Sequence, residues 1–421
     1  MDIECRKDVL PNGIRVVTES VDHANSVSLG IWIGSGSRNE TDAQAGISHF
    51  IEHMMFKGTR RRSAREIAEA LDSVGGRLNA FTDKEYTCYY AKVLAEDIAL
   101  AFDVLADMLL ESRIDPEEIE REKNVVLEEI KRHEDTPEDL VHDVFARTLW
   151  PDHPLGRPVI GSSDVVGSFT RDDILGFIEQ WYKPDQIVVA AAGKVDHEQV
   201  LELTDRHFGS LSGRSPRLPH EPPRPVLRTS YISRSTEQVH LCIGTAGIPH
   251  DSEDRYAMAV MDAAYGGGMS SRLFQEIRES RGLAYSIGSY FASYREGGLF
   301  AVYAGTSRET ADEVVVLVEA EGKRLSEEGI TDKELERAKR QIRGSMILGL
   351  ESTSARMTRL GKLELAFGRV IPVDEVLDRI EAVTLEDVHR LSSRLLNDGR
   401  HAVAAIGPFD EDDAGIASLE Q

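Results

Sequence analysis

The chain carries one pattern twice, and a repeat of this kind constrains the architecture before any single residue is interpreted. Ile114-Asp115-Pro116-Glu117-Glu118-Ile119-Glu120-Arg121 is echoed by Ile330-Thr331-Asp332-Lys333-Glu334-Leu335-Glu336-Arg337. Phe169-Thr170-Arg171-Asp172-Asp173-Ile174 is likewise echoed by Val383-Thr384-Leu385-Glu386-Asp387-Val388. A third pair, residues 187–193 and 401–407, reads as the same apolar strand. All three pairs are offset by about 215 residues, the fixed self-similarity expected of duplicated structural units. Residues 212–228 are dense in proline and read as a semi-rigid linker. The expected organisation is therefore 1–211, a linker at 212–228, and a homologous domain at 229–421, and 421 residues are enough for two cores.

Within each half the order is a hairpin pattern, a helix, more strand, long helices, then a final strand and helix. Residues 27–33 and 88–93 are strand-like in their β-branched and aromatic content. Strands grouped apart from clustered helices, without strict alternation, indicate an α+β fold.

The first half contains His49-Phe50-Ile51-Glu52-His53. On a helix, residues three or four apart share a face, so His49, Glu52 and His53 project together. Ile47, Phe50, Ile51, Met54 and Met55 fall on the opposite arc and give the helix a side to bury. Thr41 with Gln44 reads as a capping box at its start, and Gly58 stands just past its end. Two imidazoles and a carboxylate on one face suit zinc, which in catalytic sites takes three protein ligands and a water whose pKa it lowers.

The motif is one ligand short, and the segment from Asp115 to Ile130 offers it. Asp115 before Pro116 marks a helix start with acidic residues in its first turn. Glu122 and Glu129, seven apart, share a face with Ile119, Val125, Val126 and Ile130, whereas Glu128 points away. Carboxylates on an apolar stripe are expensive to bury unless paired or bound to a cation. This favours Glu129 as the third ligand and Glu122 as the carboxylate that orients a ligand histidine. The alternative is that both flank the core and reach solvent.

The order His49-x-x-Glu52-His53, then Glu122 and Glu129, resembles the inverted zincins of the pitrilysin and mitochondrial processing peptidase family. The resemblance implies a zinc-dependent endopeptidase with one zinc per chain on His49, His53 and Glu129, and with Glu52 as general base. It also implies that each half is a mostly antiparallel sheet with helices packed on one face, and that two halves form part of a chamber for peptides or unfolded segments. Arg278 and Tyr285, within the run that opens at Gly266-Gly267-Gly268, match the arginine and tyrosine that relatives present to the substrate and the tetrahedral intermediate. Residues 75–82 resemble the family's substrate-binding strand, with Asn79, Ala80 and Phe81 as contacts and Phe81 near the metal. Relatives of this length work as dimers. Both motifs lie on this chain, so a homodimer is expected, with a heteromeric processing peptidase or a non-hydrolytic peptide-binding subunit as the alternatives.

The repeat also makes a prediction by subtraction. Shifting His49 by the offset lands near Met261 to Tyr265, and shifting Glu129 lands near Ser345, so the second half has no such ligand set. Its triple glycine lacks the Gly-Lys-Ser/Thr ending of a nucleotide loop and reads as a turn into a helix. A net charge of -24 disfavours nucleic acid and anionic membranes as partners and suits a basic peptide. No stretch is apolar enough to span a membrane, the first residues lack a signal-peptide core, and three scattered cysteines suit a reducing compartment. The expected location is cytoplasmic.

Overall fold

The apolar run at 187–193 becomes the buried strand around which the first sheet is assembled. The computed structural model describes residues 4–216, 221–397 and 399–409. The first half of the sequence forms β1 (Glu4–Val9), β2 (Arg15–Ser20), β3 (Ser26–Ile33), α1 (Ile47–Met54), α2 (Ala64–Asp72), β4 (Arg77–Thr82), β5 (Thr87–Leu94), α3 (Ile98–Glu111), α4 (Pro116–Glu134), α5 (Pro137–Leu149), α6 (Ser163–Ser168), α7 (Arg171–Trp181), β6 (Ile187–Gly193) and α8 (His197–Phe208). The second forms β7 (Thr229–Ser233), β8 (Val239–Ala246), α9 (Arg255–Tyr265), β9 (Ala284–Ser293), β10 (Gly298–Thr306), α10 (Ala311–Glu328), α11 (Asp332–Gly349), α12 (Thr353–Phe367), α13 (Val373–Glu381), α14 (Leu385–Leu396) and β11 (Ala402–Gly407).

The sheet orders are β1-β2-β6-β3-β5-β4 and β7-β11-β8-β10-β9, the same sequence of strands apart from the added β1. Only β2 with β6 and β7 with β11 pair parallel; the remaining described pairs are antiparallel. Register repeats as well. Ile31 faces Val189 and Tyr89, and Ile243 faces Val403 and Val302. Local signals agree with the duplication: Thr170 with Asp173 and Thr384 with Asp387 form matching capping boxes at the starts of α7 and α14. The fold is α+β in two homologous halves.

The chain packs as two units that are not its two linear halves. One takes the described residues within 1–131, 157–219 and 348–370, the other those within 132–156, 220–347 and 371–421. This differs from a simple cut at the linker, of which residues 217–220 lie outside those described. The physical reason is that each sheet is apolar on both faces. In the first unit one face is covered by the unit's own helices, with Phe50, Phe102, Phe177 and Phe208 in the core. The other presents Val17, Trp32 and Val188, which are covered by Met357 and Leu360 of α12. Gly361 lets that helix approach, since a Cβ there would stand 2.2 Å from the Trp32 ring. In the second unit Val141, Phe145 and Leu149 of α5 cover Cys242, Ala301 and Ala404 in the same way. Each large apolar side chain so buried contributes roughly 1.5–3 kcal/mol.

No helix among the described residues is long and apolar enough to cross a membrane.

Candidate metal centre

α1 presents its two faces as the spacing requires. Ile47, Phe50, Ile51 and Met54 are buried in the core of the first unit, and the opposite side carries His49, Glu52 and His53. The helix is shorter at its start than the sequence suggests. The Thr41–Gln44 capping box belongs to a separate 3-10 turn, Asp42–Gln44, and α1 opens afterwards at Gly46.

α4 supplies the third donor. Ile119, Glu122, Val126 and Ile130 form its buried stripe; Val125, expected to share it, is 50% exposed because its direction falls at the margin of the packed face. Glu129 Oε2 stands 3.8 Å from His49 Nε2 and 3.6 Å from His53 Nε2. The three ligand atoms lie within 4.8 Å of one another. A tetrahedral zinc with nitrogen and oxygen bonds of about 2.0–2.1 Å needs ligand atoms roughly 3.3 Å apart. The donor set fits zinc in number and chemistry, and side-chain rotation on a helix already aimed at Glu129 would bring the atoms to that spacing.

Around these ligands lies a layer of charge. Glu122, 3% exposed, accepts a hydrogen bond from His53 Nδ1 at 2.8 Å and pairs through its other oxygen with Lys57 Nζ at 2.6 Å. This turns His53 Nε2 toward Glu129 as a free donor, the orientation an outer carboxylate imposes on a metal-binding histidine. Burial acts to raise the Glu122 carboxyl, but the bonds from His53 and Lys57 outweigh it and hold it below the usual value. Burial acts to lower the His53 imidazole, and the surrounding Glu122, Glu129 and Glu52 raise it instead. Among the described residues His49 has no such carboxylate on Nδ1, which is buried without a hydrogen-bond partner. Burial, then the neighbouring His53, push it down to about 4 and keep it neutral near pH 7.

Glu52 is held from the adjacent sheet edge, where Thr82 Oγ1 donates to its Oε2 at 2.5 Å. Burial raises its pKa against that bond, which suits a carboxylate that must accept a proton. Neither Thr82 nor Lys57 is among the candidate site residues that the sequence offers. Lys57 lies past the end of α1 and Thr82 at the end of a strand, so helical spacing points to neither.

β4 is the edge strand of the first sheet. Asn79 is exposed and its side-chain oxygen accepts from the Ala80 amide at 2.9 Å, while Ala80 is buried in the core. Phe81 points to the opposite face, with its ring 5.5 Å from Trp32 and 6.0 Å from Tyr90, in the cluster that α12 covers. Strand alternation therefore places Thr82, not Phe81, against Glu52.

In the second unit Arg278 and Tyr285 come together. Arg278 lies in a π-helical turn, Phe274–Glu279, with its guanidinium 4.7 Å from the Phe274 ring and 5.8 Å from that of Tyr285, itself 75% exposed at the start of β9. Both line an open cleft of about 500 Å³ with Gln238, Thr306, Ser307 and Thr310. The repeat offset carries His49 and His53 to the neighbourhood of Met261 to Tyr265, within α9, and Glu129 to that of Ser345, within α11.

Comparison with known proteins shows the family. Residues 15–163 match the family described as insulinase (peptidase family M16), and residues 168–342 match the peptidase M16 inactive domain. An uncharacterized zinc protease of Streptomyces coelicolor is 46% identical over 97% of this chain and 91% of its own length. The uncharacterized zinc protease YmxG of Bacillus subtilis is 43% identical over 94% of this chain and 97% of its own. Two solved structures share the fold: a protease from Helicobacter pylori (TM-score 0.88, 23% identity, 96% of this chain and 100% of that one) and a peptidase M16 inactive domain from Pseudomonas fluorescens (TM-score 0.90, 20% identity, 97% and 98%). With both family domains in order on one chain and close relatives along nearly all of it, this protein belongs to peptidase family M16.

Proposed function

We propose that the protein is a zinc-dependent endopeptidase acting on peptides or unfolded segments. The observation that carries this reading is the convergence of His49, His53 and Glu129 beside a half-buried Glu52 that Thr82 holds in place. His49, His53 and Glu129 would hold one zinc per chain. When bound, zinc supplies Lewis acidity and lowers the pKa of a water to near neutrality. Glu52 takes the proton of the attacking water and delivers it to the leaving amine, and its burial keeps the proton affinity high enough for both tasks. Thr82 fixes the carboxylate's direction, and Glu122 with Lys57 fixes that of His53. The free edge of β4 suits an extended peptide added by backbone hydrogen bonds, with Asn79, Ala80 and Phe81 along it. Arg278 and Tyr285 are the donors for developing oxyanion charge, and a homodimer with two complete sites is the assembly.

The test is cleavage of unstructured peptides by the wild type and by Glu52→Gln, with zinc measured in both. The variant should retain zinc and lose roughly 10²- to 10⁴-fold in kcat. Undiminished cleavage would overturn the mechanism, and a wild type that holds zinc but cleaves nothing would favour a peptide-binding subunit.

A further inference from the structure

α1 spans only Ile47 to Met54, and a helix of two turns is marginal without outside support. Its N-cap, Gly46, has no side chain to receive the free amides of the first turn. Little else fits there: φ is +97°, and a Cβ would stand 2.7 Å from the Ile160 carbonyl oxygen. The amides are met instead from upstream. Glu40, 4% exposed, accepts from Gly46 N through one carboxylate oxygen and from Ser48 N through the other, both at 2.8 Å. Arg157 lies beside it, donating to the Glu40 carbonyl oxygen at 2.5 Å and pairing with Asp42. Burial raises the Glu40 carboxyl to about 7 although the two amides and Arg157 favour its charge. A cap that only starts a helix needs no such burial. α2 is capped at the surface by Ser63 with Glu66.

His49 follows Ser48 directly, which gives the buried cap its consequence. Turning α1 by 10° moves an imidazole nitrogen, roughly 6 Å from the helix axis, by about 1 Å. Zinc–ligand distances tolerate only about 0.2 Å. We infer that Glu40 is a positioning residue of the metal centre: by holding Gly46 and Ser48 with one carboxylate it sets the rotation of α1, and with it the aim of His49 and His53 at Glu129. This rests on the zinc peptidase reading.

The test compares the full-length wild type, Glu40→Gln and Glu66→Gln, the last altering a like contact at the start of α2. Zinc dissociation constants come from competition with a chelator at a temperature where all three are folded, and kcat and KM from an unstructured peptide. Glutamine keeps the size but must turn its NH₂ toward one of the two amides. Glu40→Gln should bind zinc about 10- to 100-fold more weakly. It should also lose kcat at saturating zinc with KM little changed, while Glu66→Gln matches the wild type. If Glu40→Gln does not fold, Glu40→Asp takes its place; one methylene shorter, it reaches a single amide and should weaken zinc in the same direction. Wild-type zinc affinity in the variant would overturn the inference alone. A wild type that binds no zinc would overturn the peptidase reading beneath it.

Discussion

α1 and α9 stand at the same point of a shared topology, after β3 and before β4 in one unit and after β8 and before β9 in the other. One presents His49, Glu52 and His53 to a carboxylate of α4; the other is almost wholly buried, and at the corresponding place Tyr265 donates to the Val318 carbonyl oxygen at 2.9 Å. Their starts differ too. α1 hangs from the buried Glu40, whereas α9 opens at Asp254, whose carboxylate pairs with Arg390 and Arg394. The contrast separates what the fold requires from what the chemistry requires. A helix at this position needs an apolar side and a fixed start; the polar face of α1, its neighbouring Glu122 and the Glu40 carboxylate at its start go beyond that requirement.

Three variants sharpen that contrast. The largest effect is expected from Glu122→Gln, which removes the charge that orients His53 and leaves Lys57 without its partner. Zinc affinity, read by chelator competition, should fall about 10- to 100-fold, and an unchanged value would show that His53 is aimed by packing alone. Next is Asp262→Asn on α9. Burial raises Asp262 to about 6 from an ordinary 3.8, with Ser289 donating to it at 2.6 Å. Its folded pKa lies above the unfolded one, so the stability linked to its proton is present below pH 3.8 and lost as pH rises through 6. Asparagine still accepts from Ser289 without the charge. The variant should therefore be more stable than the wild type by about 1–2 kcal/mol at pH 7, with the gain vanishing near pH 4, as read by denaturant unfolding. Equal stability at pH 7 would show that the carboxylate is hydrated. The smallest effect is expected from Tyr265→His, which restores an imidazole to α9 without a facing glutamate, since Ser345 stands where Glu129 would be. Metal analysis should still find one zinc per chain; a second would mean that the ligand set is less demanding than proposed.

Much of this was legible in the sequence because it depends on local periodicity. The side of α1 that carries His49, Glu52 and His53, the selection of Glu129 over Glu128, and the duplication all follow from spacing along one element or between two copies. Contacts between segments distant in sequence were not. The hydroxyl of Thr82 on Glu52, the Lys57 ammonium on Glu122 and the Glu40 carboxylate under α1 depend on how loops return, which no period records. The swap of α5 and α12 escaped for a related reason. A repeat announces two sheets, but which helix covers the second face of each is decided by packing. Val125 and the Thr41–Gln44 box show the smaller failures, a margin residue counted as buried and a genuine cap attached to the turn before the helix.

Everything proposed for this protein depends on one zinc being held by His49, His53 and Glu129 within the first unit. Metal analysis of the purified full chain and of His53→Ala, each checked for native circular dichroism, tests it most directly. One zinc per chain is expected in the wild type and none in the variant. A wild type without zinc, or a folded variant that keeps it, would rule out this ligand set.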